Sequence, residues 1–479
     1  MKTYLRLSLF PLFLFILLGS IEAIWGLGQL YGVVLSHHSQ YLLTGSFYNP
    51  GPYSGFLAMI FPIAFYEWLR LRKESNSVLG LTAWMSMLLI GCLIPCGMSR
   101  TAWLAVAVGA GYVATMYGRT RIAAFARKHR KRVALLGVAA LVGVGIATSA
   151  AYTMKKDSAD GRLLMWKVAA QAVRERPLDG HGWDQVAGAY GQVQEAYFAS
   201  GQATPTEEWV AGAPEYVFNE YLQVALAWGV PVLLLGLAVV GLALYRAHRG
   251  GAYGLCGGLL SLLVFAFASY PLQFPEFVVT GLLLLATCMV SGKKVRRGYA
   301  FAVWMLAIAG CAVYGCRYAE RRQEARRWEA LRMCYYSEDY TRTAEAYAPL
   351  YEELKWNAKF LFEYGHALHK LARYEESSQV LKEALRHSCD PMVLNILGKN
   401  CQARHRYEEA EAWFVRSIHR LPNRLYPYYL LAKLYAEPEF YRPDKCCEMI
   451  DKVLSWNPKV ASEAIEEMKL EMKNLKEKL

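Results

Sequence analysis

The chain has 479 residues, 55% of them apolar, and a formal net charge of +13. So high an apolar share excludes an ordinary soluble domain. The positive charge does not mark a nucleic-acid binder, because many basic residues stand in short loops beside apolar runs, where membrane orientation places them. Apolar residues crowd the first two thirds and charged ones the last third, so one region in lipid and one in water are expected. The eleven cysteines make no CxxC and no metal spacing with histidine, and read as small apolar side chains.

About nine apolar runs predict transmembrane helices. They lie near residues 6–25, 54–69, 78–95, 101–117, 133–150, 222–245, 252–270, 276–291 and 299–316. The first is a span rather than a signal peptide, because "GSIEAIWG" is a poor cleavage site. Lysine and arginine set the orientation. Arg70, Arg72 and Lys73, then the seven basic residues from Arg119 to Arg132, then Arg246 and Arg249, then Lys293 to Arg297 fall in alternate connections. The other short connections hold only Arg100, so the first set is cytoplasmic. Two segments then face outward: "TGSFYNPGPY", a stiff uncharged hinge at 44–53, and a long loop at about 151–221. The expected architecture is all-α. A polytopic membrane domain over 1–316 includes the large loop, and an outward-facing domain covers 317–479. In a Gram-negative cell this is a multi-pass inner-membrane protein with its C-terminal domain in the periplasm.

The C-terminal third repeats itself. "AKFLFEYGHALHKLARYEESSQVLKEALRHSCDP" aligns with "PMVLNILGKNCQARHRYEEAEAWFVRSIHRLPN", matching Gly365 with Gly398, Tyr374 with Tyr407 and Ala384 with Ser417. The pattern of small residue, aromatic, small residue and closing proline resembles the tetratricopeptide repeat. A third copy runs from about Tyr428 to Pro458 around an insertion, "AEPEFYRP", and a partial first copy covers Tyr340 to Trp356. Such an α-solenoid either presents a concave surface to a protein partner or serves as a spacer. "SEAIEEMKLEMKNLKEKL" reads as a closing amphipathic helix.

Four outward stretches carry the candidate chemistry: "TGSFYNPGPYSGFLA", "MSRTAWLA", "DGRLLMWKVAAQAVRERPLDGHGWDQV" and "APEYVFNEYLQVALAWGV". Each has a plain reading. Arg100 at a helix mouth can snorkel into headgroups. Arg162 and Trp166, four apart, fit an interfacial helix, and "PLDGHGW" fits a glycine-rich turn. Together, in this order on one face, the four resemble the O-antigen ligase/polymerase family of polytopic glycosyltransferases, which includes bacterial protein O-oligosaccharyltransferases. The resemblance covers about residues 20–290.

It implies a GT-C-like fold and a donor glycan on a polyprenyl diphosphate carrier in the bilayer. The acceptor would be lipid A core, a growing glycan or a protein Ser/Thr. Neither a nucleotide site nor a metal is implied. Arginine suits phosphate oxygens and stays charged, so Arg100 and Arg162 are the expected holders of the diphosphate, with Arg174 and Arg176 behind them. Asn49 and the prolines would shape a wall beside the sugar, with Phe47, Tyr48 and Tyr53 supplying rings. Trp166, His181 and Asn219 are further candidates for substrate binding.

The chain departs from the family in two ways. The ligase branch has a histidine before the asparagine of its "HNxxL" block, thought to activate the acceptor, and here Phe218 stands there. A carboxylate near apolar rings can replace it as base; Glu220 is the expected one, with Glu215 and His181 as alternatives. Family members also commonly carry more spans before the hinge, so missing N-terminal helices are expected. These departures leave a second reading open, a non-catalytic scaffold anchored in the membrane and working through its repeats. A transporter is less expected, since few ionisable residues fall inside spans.

Overall fold

The computed structural model describes residues 2–72, 78–132, 135, 153, 156–291, 295–458 and 462–479. Among them every regular element is a helix. They form two compact units. The first comprises Met1–Thr153, Phe218–Tyr221 and Pro231–Ala319; the second comprises Met154–Val217, Leu222–Val230 and Glu320–Leu479.

In the first unit the helix Pro50–Leu71 is central. Asn49 caps it by accepting the Gly51 N–H at 2.8 Å, and prolines fill its first turn, where no N–H is missed. Every residue from Pro52 to Ile60 is buried, so the helix needs neighbours on all sides. It packs on Val78–Cys96, Arg100–Lys128 and Tyr253–Phe267. The last two approach closely because they meet through small residues. A Cβ on Gly109 would lie 2.6 Å from the Gly257 carbonyl oxygen, and one on Gly257 would lie 2.9 Å from that of Gly109. Beside them Phe277 meets Phe56 edge-on at 5.6 Å and stacks on Phe265 at 5.7 Å.

Among the described residues, four helices are long and apolar enough to cross a membrane: Pro11–Leu30, Val78–Cys96, Val230–Gly250 and Arg297–Tyr336. Tyr253–Phe267 and Pro275–Val290 are apolar but shorter. The runs at 54–69 and 101–117 lie in the helices Pro50–Leu71 and Arg100–Lys128, which are not among the four. The run at 133–150 lies outside the described residues, Leu135 apart. The run at 222–245 is not one helix. Glu220–Trp228 ends at Gly229, whose φ of +86° breaks the helix, and Val230–Gly250 starts anew with Pro231 in its first turn.

The second unit is built of helix pairs. Ala358–Lys370 packs on Tyr374–His387, Pro391–Gln402 on Tyr407–Arg420, and Tyr426–Tyr435 on Pro443–Leu454. A Cβ on Gly365 would come 2.5 Å from Leu381, and one on Gly398 would come 2.3 Å from Phe414, so both crossings need glycine. Ala384 and Ser417 are fully buried at matching positions. Glu363 collects the Trp328 indole N–H and the Tyr347 hydroxyl, each at 2.9 Å, and pairs with Arg332 at 2.8 Å.

The loop expected to go with the membrane domain shares its core with these C-terminal helices. Lys156–Glu175 and Val186–Ala199 pack together, and Val186–Ala199 lies on Tyr374–His387 and Tyr407–Arg420. Leu164, Val168, Tyr190 and Val193 are buried in one cluster with Cys389 and Leu421. Gly188 permits the approach, since a Cβ there would lie 2.2 Å from the Arg386 carbonyl oxygen. Glu195 accepts from Arg416 Nε at 2.6 Å and from Arg420 Nη2 at 2.7 Å.

Candidate functional site

The hinge at 44–53 is fixed from the helix Lys2–Leu30. Gln29, itself buried, accepts the N–H groups of Thr44 and Gly45 at 2.9 and 2.7 Å and donates to the Gly45 carbonyl at 3.0 Å. Glu22 accepts the Ser46 hydroxyl at 2.7 Å and its N–H at 3.1 Å. Neither anchor was singled out from sequence, although Glu22 in an otherwise apolar run was the available signal.

These anchors sort the hinge residues. Tyr53, expected to offer a ring to a sugar, is fully buried; its hydroxyl donates to the Glu22 carbonyl at 3.3 Å, and its ring fills the space left by Gly26 and Gly45. Phe47 is likewise buried, with its ring 5.5 Å from that of Phe274. Both rings are packing residues, because the anchored hinge turns them inward. Asn49 spends its side-chain oxygen on the helix cap. Tyr48 alone of these rings is open, 64% exposed, and extends a row from Trp25 through His37 at centroid spacings of 6.3 and 5.5 Å.

Arg100 is exposed and is the first residue of the helix Arg100–Lys128, which Ser99 caps. The positive end of a helix dipole favours an anion beside it.

Glu220, also in the first unit, opens the helix Glu220–Trp228 and is 4% exposed. Its Oε1 accepts the Leu272 N–H at 2.7 Å. Its Oε2 is buried and has no hydrogen-bond partner among the described residues. Burial pushes this carboxyl up to about 8, against the lowering effect of the Leu272 amide. Asn219, buried, accepts the Tyr221 N–H at 3.1 Å, and the Tyr221 hydroxyl donates to the Leu263 carbonyl at 2.8 Å. Phe218 holds a φ of +54°, in the left-handed region, with its ring edge-on to Tyr270 at 4.8 Å. Histidine and asparagine enter that region more readily than phenylalanine.

The remaining candidates belong to the second unit. Arg162 and Trp166 are both half-buried on the helix Lys156–Glu175. Arg176 pairs with Asp179 beside it. "PLDGHGW" closes the end of the helix Glu220–Trp228: the N–H groups of His181 and Gly182 donate to the carbonyls of Leu226 and Ala227, each at 2.8 Å, and Val230 donates to Pro177 at the same distance. Gly180, at φ +65°, must be glycine, since a Cβ would lie 2.5 Å from the Ala227 backbone. The His181 ring nitrogen Nε2 lies 3.0 Å from the Ala172 carbonyl oxygen, and Trp183 stacks on Trp228 at 4.8 Å. His181 is thus held in a cap. Glu215 is exposed and pairs with Lys359 at 2.9 Å, a poorer setting for a base than Glu220.

A search of curated proteins gives no match. Residues 85–237 match the family model described as O-antigen ligase. The matched stretch takes in Arg100, Arg162, Trp166, Arg176, His181, Asn219 and Glu220, and stops short of Tyr48, Asn49 and Tyr53. The protein is therefore an integral membrane protein whose residues 85–237 are similar to the O-antigen ligase family.

Proposed function

We propose that the protein is a glycosyltransferase that moves a glycan from a polyprenyl diphosphate carrier to a hydroxyl group on the outer face of the inner membrane. The observation that carries this reading is the family match, which encloses both arginines and the buried carboxylate. In the proposed reaction the acceptor oxygen attacks the anomeric carbon and its proton passes to Glu220. The bond from that carbon to the diphosphate oxygen breaks, and the electron pair leaves with the carrier diphosphate. Arg100 and Arg162 hold the diphosphate and stabilise the charge that develops as it departs.

Glu220 suits the base role because one oxygen is oriented by Leu272 and the other is unengaged. At neutral pH most of this carboxyl is protonated, so the reactive form is the minority one. Tyr48, Trp166 and Asn219 are proposed to touch substrate. The C-terminal helix pairs are proposed to be tetratricopeptide repeats in the periplasm that receive a protein partner or a protein acceptor.

Deleting the gene and resolving envelope glycans into protein-bound and lipopolysaccharide fractions tests this. One fraction should vanish, return with the wild-type chain, and fail to return with Arg162→Ala at normal abundance. The fraction that vanishes names the acceptor. Equal restoration by both chains would place the scaffold reading ahead.

A further inference from the structure

We infer that a cleft within the second unit, walled by the Phe198–Trp209 stretch on one side and by the C-terminal helices on the other, binds carbohydrate. The cleft holds about 460 Å3, within the range of roughly 300–1,000 Å3 usual for small-ligand sites. Four aromatic residues line it: Phe198, Trp209, Tyr428 and Trp456. Tyr428 and Trp456 meet at 5.6 Å with their planes tilted by 44°, so they form a corner rather than a closed stack. Trp209 is 41% exposed. The cleft is also lined by Glu208, His419, Lys452 and Asn457.

The walls are held in place before any ligand arrives. Asn423 donates its side-chain amide to the carbonyls of Trp209 and Ala211 at 2.9 and 2.8 Å, joining one wall to the other. The Trp209 indole N–H donates to Asp157 at 3.2 Å, which fixes the ring. The Thr204–Glu207 capping box starts the short helix that carries Trp209, and Glu207 pairs with Lys167 at 2.7 Å. A site ordered in advance loses less affinity to the ordering of its own side chains.

The lining chooses the chemical class. A sugar ring has a C–H face, which an aromatic face covers, and a rim of hydroxyls, which need donors and acceptors. Glu208 supplies two acceptor oxygens, Asn457 both kinds of group, and the Tyr428 hydroxyl stays protonated, pushed up to about 12 by burial and by the charge of Glu208. An apolar peptide would leave these polar groups without partners. Only the source of the sugar, the glycan that the enzyme handles, rests on the proposed function.

The test uses the full chain in lipid nanodiscs. The probe is the glycan released by mild acid from the lipopolysaccharide of the cells that make the protein, followed by saturation-transfer NMR and calorimetry. The wild type should bind it, with Trp456→Ala at least tenfold weaker and Glu208→Gln at least threefold weaker. Trp456 packs partly into a core, so the exposed Glu208 provides the variant that keeps the fold. Absence of transfer to the wild-type protein overturns the inference, as does binding by both variants at the wild-type level. Binding of a proline-rich control peptide in place of the glycan would overturn it too. If Arg162→Ala restores envelope glycans while the cleft variants still lose binding, the transferase reading fails and the cleft stands. The reverse pattern removes the cleft alone.

Discussion

Glu195 and Arg420 form an ion pair in which the arginine side chain is fully buried, with Nη2 2.7 Å and Nε 3.2 Å from the same carboxylate oxygen. The Arg420 carbonyl also accepts from Gln194 at 2.6 Å, so two consecutive loop residues grip one residue of the Tyr407–Arg420 helix. Truncating one partner of a buried pair leaves the other charge without compensation, at about 3 kcal/mol or more. Glu195→Ala should therefore destabilise the second unit by that amount. Arg416→Ala, at a half-exposed partner, should cost under about 1 kcal/mol. Hydrogen exchange of residues 186–199 and 407–420 in the full chain should rise together in the first variant and barely change in the second.

Gln29 sets the hinge. Gln29→Leu keeps the volume but leaves the Thr44 and Gly45 N–H groups without their acceptor. An unsatisfied buried donor costs about 1–3 kcal/mol. Exchange at these two amides should quicken by tenfold or more, and glycan transfer should fall with it. Unchanged exchange would mean that the hinge is held by Glu22 alone.

Gly109→Ala should be severe for so small a change. The added methyl would meet Ser261 Oγ at 2.1 Å and the backbone oxygen of Gly257 at 2.6 Å. The hydroxyl can rotate away, but the backbone cannot, so the helices Arg100–Lys128 and Tyr253–Phe267 must part. Overpacking of this kind costs about 1–3 kcal/mol. Gly111→Ala, which meets nothing within 4 Å, is the matched control. Thermal unfolding in detergent should separate the two.

What the sequence displays is local. The offset of 33 residues reappears as helix starts at Tyr374 and Tyr407, and Gly365 and Gly398 stand where their helices cross, because repeat spacing and small residues are written in consecutive positions. The break at Gly229 was also written there, as a glycine two residues before a proline, but the continuous apolar run masked it. The packing of Val186–Ala199 on the C-terminal helices joins residues more than 200 apart, and no periodicity in the loop points to Arg416 or Arg420. In the candidate site, the residue types were legible at Arg100, Arg162 and Glu220. The inward turn of Tyr53 was not, since it follows from two anchors in another helix.

Glu220 yields the sharpest test. As a base it acts when deprotonated, and its carboxyl is pushed up to about 8. Transfer by the wild type should rise about tenfold per pH unit below that value and level off above it. Glu220→Gln should lower the rate by about 10²–10⁴-fold and flatten the profile. Stability moves the opposite way. An unfolded glutamate titrates near ~4.3, so burying the neutral acid favours the folded state at low pH, and that advantage is lost as pH rises toward 8. Glu220→Gln, which cannot ionise, should remove this loss and be the more stable protein at pH 8 while remaining the poorer catalyst. A variant that lost both activity and stability at that pH would assign Glu220 to holding Leu272 rather than to proton transfer.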